Sequence, residues 1–279
     1  MNSNKIIYVA AVDGAGVQKK IDGFCNAALS AGYEVEKALG DRLGGNGLRK
    51  IMHQMISSDA RYVMLRGLNR SSVSAFPFLL KAKIQGKVIV IDQPSPAITY
   101  IKEIDFQDRS WLNKYAKKLL TYIGCPLAFL LANRIIEYAE ESYYFKLFSK
   151  RKVLLTGNGI DVSKLPLRTK DYPDGTSHLA LVGVAASISA WHGFDRVIRT
   201  MEEWNKSGEK LHITFDVVGD DKTLHADAMK DYVKKNGLSD SVRFLGYQSA
   251  AFLNGLYSRE SLAVVSLRIY RKGLSTASP

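Results

Sequence analysis

Short apolar runs that alternate with amphipathic segments constrain the fold of this chain more than any other feature. Residues 181–200, LVGVAASISAWHGFDRVIRT, hold one such unit: an apolar run, a loop of small residues, and a segment with apolar residues at helical spacing. A parallel sheet is built from units in which a strand, a short loop and a helix follow in this order. The unit therefore predicts a helix that begins near the carboxyl end of a strand.

The same alternation runs through the first half of the chain. Residues 5–12, 33–39, 60–67 and 87–94 are apolar and β-rich, which predicts strands, whereas 17–31, 47–57 and 74–85 have helical spacing. Residues 111–152 are aromatic, aliphatic and lysine-rich around Pro126 and predict further helices.

The second half repeats the pattern after a polar junction at residues 157–177. A strand and the loop after it are predicted over 178–187, and further strands over 213–221, 242–248 and 261–267, with helices between them. A chain of 279 residues is long enough for two ordinary cores. We therefore expect an α/β protein with two Rossmann-like domains of parallel strands, residues 1–156 and 157–279, that face a cleft.

The net charge of +12 favours an anionic partner. Residues 1–150 hold 21 Lys and Arg against 13 Asp and Glu, and the remainder holds 18 against 14, so most of the excess lies in the first half. Nucleic acid, an acidic membrane face and a phosphate-bearing ligand all fit such a balance. No nucleic-acid partner is expected, because no helix-turn-helix, RNP-type strand or Cys/His finger accompanies the charge.

Cysteine and histidine usage predicts no metal site. Cys25 and Cys125 stand a hundred positions apart without a CxxC motif or clustered histidines. The chain begins without the charged and apolar regions of a signal peptide, so we expect a cytoplasmic protein.

Residues 111–152 also raise the question of a membrane. The apolar stretch from Tyr122 to Leu131 falls well short of the roughly 20 residues needed to cross a bilayer. Basic amphipathic helices with Trp, Tyr and Phe can lie in the interface of an anionic membrane. Peripheral contact with the inner membrane face and ordinary packing of these helices on the sheet both remain open.

Several motifs together resemble the family 4 glycosyltransferases, which have the GT-B fold. Residues 158–161 read N-G-I-D, residues 218–220 read V-G-D, and residues 271–274 read R-K-G-L. Residues 191–196, W-H-G-F-D-R, are similar to a variant motif of a bacterial subgroup that assembles capsular and surface polysaccharides. The usual strand-end arginine is absent at Val184 and Ala185, and the usual lysine is replaced by His192.

The resemblance implies an enzyme that moves a hexosyl group from a nucleotide-diphosphate sugar to a lipid-linked or glycan acceptor, with retention and without a metal or other cofactor. His192 and Gly193 lie where a helix N-terminus supplies a partial positive charge, and they are predicted to bind the donor diphosphate. The remaining predicted diphosphate ligands are Arg196, Arg271 and Lys272. Gly219, Gly246 and Tyr247 are predicted to line the nucleotide site.

The first glycine-rich loop carries Gly14 and Gly16 but lacks the third glycine of a dinucleotide-binding fingerprint. By resemblance it is an acceptor-side loop, and a tight structural turn is the alternative. No catalytic base is identifiable: His53 and Asp92 are candidates by residue type alone.

Relatives continue beyond R-K-G-L into a segment similar to L-K-x-R-E-Y, so the resemblance implies that this chain is C-terminally truncated. Two other functions stay open on the sequence. One is a non-catalytic remnant that binds nucleotide or acceptor, and the other is a basic Rossmann-type nucleic-acid binder with salt-dependent affinity.

Overall fold

The structure is a computed structural model that describes residues 2–12, 15–40, 45–107, 109–157, 178–259, 262–265 and 267–268. These residues divide into two compact units, one on each side of residues 158–177. Each unit contains one sheet of parallel strands flanked by helices, which confirms the predicted α/β class. The domain boundary predicted between residues 156 and 157 stays a prediction.

The first unit contains a six-stranded sheet with the strand order β2-β1-β3-β4-β5-β6. Every neighbouring pair of strands in this sheet is parallel, as expected when a helix connects each strand to the next. The strands are β1 (Asn2–Ala11), β2 (Glu34–Gly40), β3 (Ala60–Arg66), β4 (Val88–Gln93), β5 (Arg134–Glu137) and β6 (Val153–Leu155). The helices are α1 (Ala15–Ser30), α2 (Gly45–Ser57), α3 (Ser72–Ile84), α4 (Ala97–Asp105), α5 (Trp111–Leu131) and α6 (Tyr143–Ser149).

The first sheet is covered on both faces, because successive side chains of a strand point to opposite faces. Ile7 of β1 belongs to the larger core, which it shares with Leu79 of α3. Tyr8, the next residue, belongs to the smaller core on the other face, together with Ile21 and Cys25 of α1. This two-sided burial explains why the strand sequences are continuous apolar runs.

Strand β5 corrects the prediction that residues 111–152 form helices alone. Helix α5 ends before Ala132, which is extended, and the side-chain oxygen of Asn133 accepts the backbone N–H of Ile89 at 3.0 Å. Ile135 is then fully buried in the larger core. Pairing with β4 and this burial together outweigh the helical character of the surrounding sequence.

Helix α5 continues through Pro126, where a break would be ordinary. Proline lacks the N–H that would normally bond to the carbonyl of Tyr122, four residues earlier. The hydroxyl of Tyr144 in α6 donates to that carbonyl at 3.1 Å instead. A neighbouring helix thus supplies the donor that the proline removes.

The second unit contains a four-stranded parallel sheet with the order β10-β7-β8-β9 among the described residues. Its core is centred on Phe194 and Phe215, which meet edge to face with ring centroids 5.7 Å apart. A side chain at Gly183 would place its Cβ 2.7 Å from the Phe194 ring, so glycine is required there. The elements are β7 (His178–Ser187), α7 (Phe194–Lys206), β8 (His212–Asp220), α8 (Leu224–Lys235), β9 (Val242–Gly246), α9 (Ala250–Arg259) and β10 (Leu262–Val264).

Within the part of the chain that the structure describes, no helix has both the length and the apolar character needed to cross a membrane.

Candidate functional site

The carboxyl edge of the second sheet brings most of the predicted donor-site residues together. Because β7, β8 and β9 are parallel, their last residues Ser187, Asp220 and Gly246 lie at one edge, and ligands of open α/β sheets bind beyond such an edge. The predicted residues that end or follow these strands are His192, Gly193, Gly219, Gly246 and Tyr247.

His192 is held by the loop that joins β7 to α7. Its ring Nδ1 lies 3.1 Å from the backbone nitrogen of Ser189 and 3.2 Å from the carbonyl oxygen of the same residue. The imidazole also stacks on the Phe194 ring, with centroids 5.4 Å apart. The side chain is therefore half-buried and fixed in orientation at the start of a helix.

Gly193 caps the N-terminus of α7 in the left-handed conformation, with φ of 71°. The backbone N–H of Leu267 donates to the carbonyl of His192 at 2.9 Å, and that of Arg268 donates to the carbonyl of Trp191 at 3.1 Å. A Cβ on Gly193 would lie 2.9 Å from the Cβ of Leu267. The residues that pack closely against Gly193 are therefore Leu267 and Arg268 of this same chain. The sequence alone did not predict this contact.

The first turn of α7 carries an acid and a base with different neighbours. Asp195 pairs with Arg268 across 2.9 Å, and both side chains are largely buried. Arg196 is exposed, and its Nη1 lies 3.5 Å from the carbonyl oxygen of Leu267. Arg268 was missed by sequence reasoning, because its partner lies more than seventy residues earlier in the chain.

Gly219 and Gly246 occupy positive-φ positions at the ends of neighbouring strands, with Gly246 in register with Val218. A Cβ on Gly219 would lie 2.1 Å from the carbonyl oxygen of Ala185, whereas a Cβ on Gly246 would meet nothing within 4 Å. Tyr247 follows with 61% of its surface exposed. Gly219 therefore has a structural reason to be glycine, and Gly246 and Tyr247 border open space.

Several of the other predicted site residues lie outside the part of the chain that the structure describes. Gly16 lies in the first turn of α1, and Gly14, Arg271 and Lys272 lie outside the described residues, as does the N-G-I-D segment at 158–161. His53 is exposed on α2 with its ring edge-on to Phe78.

A second polar cluster, at the carboxyl edge of the first sheet, is centred on Asp92 of β4. Its buried carboxylate accepts hydrogen bonds from the hydroxyl of Tyr8 at 3.1 Å, the guanidinium of Arg66 at 2.9 Å and the hydroxyl of Tyr138 at 2.9 Å. The ammonium of Lys20 lies 3.5 Å from the centre of the Tyr138 ring. Because three donors already bind the Asp92 carboxylate, this side chain is suited to holding its neighbours in place. The same three bonds argue against Asp92 as a catalytic base.

The electrostatics of the Asp92 cluster follow from burial. Burial raises the pKa of the Tyr8 and Tyr138 hydroxyls, and the Asp92 carboxylate raises both further. Burial lowers the pKa of the Lys20 ammonium, which Asp92 partly opposes. The sequence analysis did not identify Arg66 and Tyr138 as site residues. Their positions could have indicated this, because Arg66 is the last residue of β3 and Tyr138 directly follows β5.

Two buried carboxyl groups lie near the end of β5. Burial, followed by the neighbouring Glu141, raises the pKa of Glu137 to about 7. Among the described residues, Glu137 Oε1 has no hydrogen-bond partner. Burial also raises the pKa of Glu141, whose carboxylate accepts the backbone N–H of Ala97 at the start of α4 and that of Ser142.

Among the described residues, no group of three His, Cys, Asp or Glu side chains is arranged to hold a metal ion. The expectation that the protein needs no metal remains a prediction.

No protein-family model and no curated protein matches the chain by sequence. Solved structures do match its fold. A glycosyltransferase from Rickettsia africae ESF-5 gives a TM-score of 0.59 at 11% identity, covering 94% of this chain and 73% of that one. Sucrose-phosphate synthase from Thermosynechococcus elongatus gives 0.61 at 11% identity, covering 96% and 78%. The UDP-GlcNAc 2-epimerase of Methanocaldococcus jannaschii gives 0.51 at 10% identity, covering 93% and 77%.

These similarities confirm the predicted GT-B fold, an α/β architecture with two parallel sheets. Proteins of this fold include both transferases and epimerases, so the fold alone does not fix the reaction. An activity therefore has to be inferred from the residues at the carboxyl edges of the two sheets.

Proposed function

We propose that this protein is a glycosyltransferase that moves a hexosyl group from a nucleotide-diphosphate sugar to a lipid-linked or glycan hydroxyl, with retention of configuration, in surface polysaccharide synthesis. The observation that carries the proposal is the position of the W-H-G-F-D-R segment. Residues 191–196 lie between the carboxyl end of β7 and the first turn of α7. Gly219 near the end of β8 and Gly246 at the end of β9 lie at the same edge of the sheet.

The electrostatics of this edge suit a leaving diphosphate. The N-terminus of α7 carries a partial positive charge, and His192 and Arg196 add side-chain donors beside it. Arg271 and Lys272, which follow in sequence, are proposed to add two more cations. Stabilising the departing diphosphate by positioned positive charge accelerates transfer without a metal, and no metal is part of the proposal.

The Asp92 cluster is proposed to lie on the acceptor side. It sits at the carboxyl edge of the first sheet, the edge at which β1 ends ahead of Gly14 and Gly16 in the sequence. Asp92 holds the guanidinium of Arg66 and the hydroxyl of Tyr138 in fixed positions. These donors would orient acceptor hydroxyl or phosphate groups, since positioning contributes a large share of such a reaction's rate.

Donor binding by the full chain is the first test. Calorimetry with a panel of nucleoside-diphosphate sugars identifies a donor, and His192→Ala is expected to weaken its binding about tenfold or more, the usual loss for one charge-assisted hydrogen bond. His212→Ala is the matched control, because His212 is an exposed histidine at the amino end of β8. Equal donor affinity of the His192 variant and the wild type would reject the proposed site.

Turnover is the second test. The proposal expects release of the nucleoside diphosphate only when an acceptor is present, with a retained anomeric configuration in the product by NMR. Epimerisation of the donor without an acceptor would overturn the transferase assignment in favour of an epimerase. Binding without any turnover would favour the non-catalytic remnant, and steeply salt-dependent binding to DNA or RNA would favour a nucleic-acid binder.

A further inference from the structure

We propose that the outer face of α5 and α6 docks on an anionic lipid surface. This face, called here the α5–α6 surface, exposes large apolar and aromatic side chains beside lysine and arginine. The inference goes beyond the transferase reaction, because it concerns where the protein lies rather than what it converts. Its residues are Trp111, Leu112, Tyr115, Leu119, Tyr122 and Ile123 of α5 with Tyr143, Tyr144 and Leu147 of α6.

The α5 residues form one stripe along the helix. Trp111, Tyr115, Leu119 and Tyr122 recur at spacings of three and four residues, which places them on one side of an α-helix. Trp111 has 73% of its surface exposed. The opposite side of α5 is buried through Thr121, Gly124 and Ala128. The apolar stripe therefore lies on the side of α5 that faces away from these buried residues.

Contacts between aromatic rings make the two helices one continuous surface. The Tyr122 ring of α5 lies 5.7 Å from the Tyr144 ring and 5.7 Å from the Phe145 ring of α6. Tyr143, the preceding residue, has 81% of its surface exposed. Proteins in water rarely expose a contiguous apolar area of this extent unless it binds something.

The charge around the α5–α6 surface indicates which kind of partner it binds. Residues 109–152 contain nine Lys and Arg but only three acidic residues. Glu137 and Glu141 are buried, and Glu140 pairs with Lys146 across 2.7 Å. The flanking Lys150 and Arg151 are exposed. The exposed Asp105 also pairs with Lys118 of α5 across 2.6 Å, so positive charge exceeds negative charge around this surface but does not stand alone.

An anionic bilayer matches both properties at once. Trp and Tyr favour the interface between headgroups and acyl chains, and Lys and Arg favour anionic headgroups. A second copy of the chain fits less well, because a two-fold interface would place the same basic surface on both sides. The helix lies in the interface in this arrangement and does not span it.

Flotation of the full chain with vesicles tests the proposal and needs neither donor nor acceptor, so its result is independent of the transferase assignment. Vesicles of phosphatidylcholine mixed with phosphatidylglycerol are expected to carry the protein to the top of the gradient. Vesicles of phosphatidylcholine alone are expected to bind it far less, and added salt is expected to weaken binding to the mixed vesicles.

Two pairs of variants separate the apolar and the basic contributions. Trp111→Ser with Tyr115→Ser is expected to lower the partition coefficient about tenfold or more, since the apolar face supplies the insertion. Leu224→Ser is the matched control, an exposed apolar residue at the start of α8. Lys150→Glu with Arg151→Glu is expected to lower it by roughly 25-fold or more. The exposed pair Lys234→Glu with Lys235→Glu on α8 is its control.

Fluorescence supplies a readout that does not depend on affinity alone. Trp111→Phe removes one of three tryptophans, and the difference between wild type and variant reports on Trp111. A blue shift of that difference with the mixed vesicles is expected on insertion. The proposal is overturned if the wild type does not bind mixed vesicles, or if the paired variants bind as their controls do. It is also overturned if light scattering shows a dimer, without vesicle binding, that Trp111→Ser with Tyr115→Ser abolishes.

Discussion

The guanidinium of Arg66 donates to the carboxylate of Asp92 across 2.9 Å, at the carboxyl ends of the neighbouring strands β3 and β4. Both side chains are largely buried, so neither can exchange its partner for water without a large cost. The hydroxyls of Tyr8 and Tyr138 complete the coordination of the carboxylate. This pair therefore fixes the geometry of the first sheet at the edge where an acceptor is proposed to bind.

Asp92→Asn is expected to lower the free energy of unfolding of the first unit by about 2–4 kcal/mol, because it leaves the buried Arg66 without its counter-charge. Chemical denaturation followed by circular dichroism measures the change. Asp59→Asn is the control: Asp59 forms an exposed ion pair with Lys5, and its loss is expected to lower the free energy of unfolding far less. Similar losses for the two variants would show that Asp92 does not organise the edge.

Glu137 predicts a pH dependence of stability. Its pKa is raised from an ordinary value of 4.5 to about 7, so between these values the folded protein holds a proton that the unfolded chain has released. Stability is therefore expected to fall as pH rises through this window, by an amount on the order of 3 kcal/mol.

Glu137→Gln is expected to flatten that slope, because glutamine does not titrate. Denaturation at a series of pH values from 5 to above 7 compares the variant with the wild type, and the slope rather than the absolute stability is the readout. Glu140→Gln is the control, since its hydrogen bond to Lys146 lowers the pKa of Glu140 and moves its titration below this window. An unchanged slope in the Glu137 variant would contradict the assignment.

Gly219→Ala is expected to disrupt the second sheet edge, whereas Gly246→Ala is expected to be mild. Both positions have positive φ, which costs an alanine roughly 1–2 kcal/mol. Only at Gly219 would the new Cβ also meet a backbone atom, the Ala185 carbonyl oxygen at 2.1 Å.

We expect Gly219→Ala to cost at least about 2 kcal/mol more than Gly246→Ala, since the backbone of β7 or β8 must move. Thermal denaturation of both variants measures the difference. Equal losses would mean that the approach of Gly219 to Ala185 is easily relieved.

The sequence predicted the frame of the fold because most strands are continuous β-branched and apolar runs. Strand β7 was predicted within residues 178–187, together with the loop after it, and the structure has the strand over all ten of these residues. Strand β5 was missed because it has only four residues, set between α5 and a further aromatic, lysine-rich stretch. Its strand state depends on pairing with β4, more than forty residues earlier, and such distant pairing leaves no local pattern.

The sequence predicted only those parts of the candidate site that are formed by residues close together in the chain. The sequence placed His192 and Gly193 at the start of a helix, and the structure has them there. It did not reveal that Leu267 and Arg268 pack on the same turn, because that contact joins segments more than seventy residues apart. Asp92 was noted by residue type alone, and its three hydrogen-bond donors come from strands and a loop that only the folded sheet assembles.

The strand orders also bear on how the chain reaches its native state. β1 pairs with β2 on one side and with β3 on the other, so a strand from the start of the chain lies inside the sheet. In the second sheet, β10 pairs with β7, about eighty residues before it. Pairings between such distant segments slow folding, and partly folded chains expose unpaired strand edges that aggregate. The yield of native protein should therefore depend on temperature and chaperone supply during synthesis more than on the stability of the finished fold.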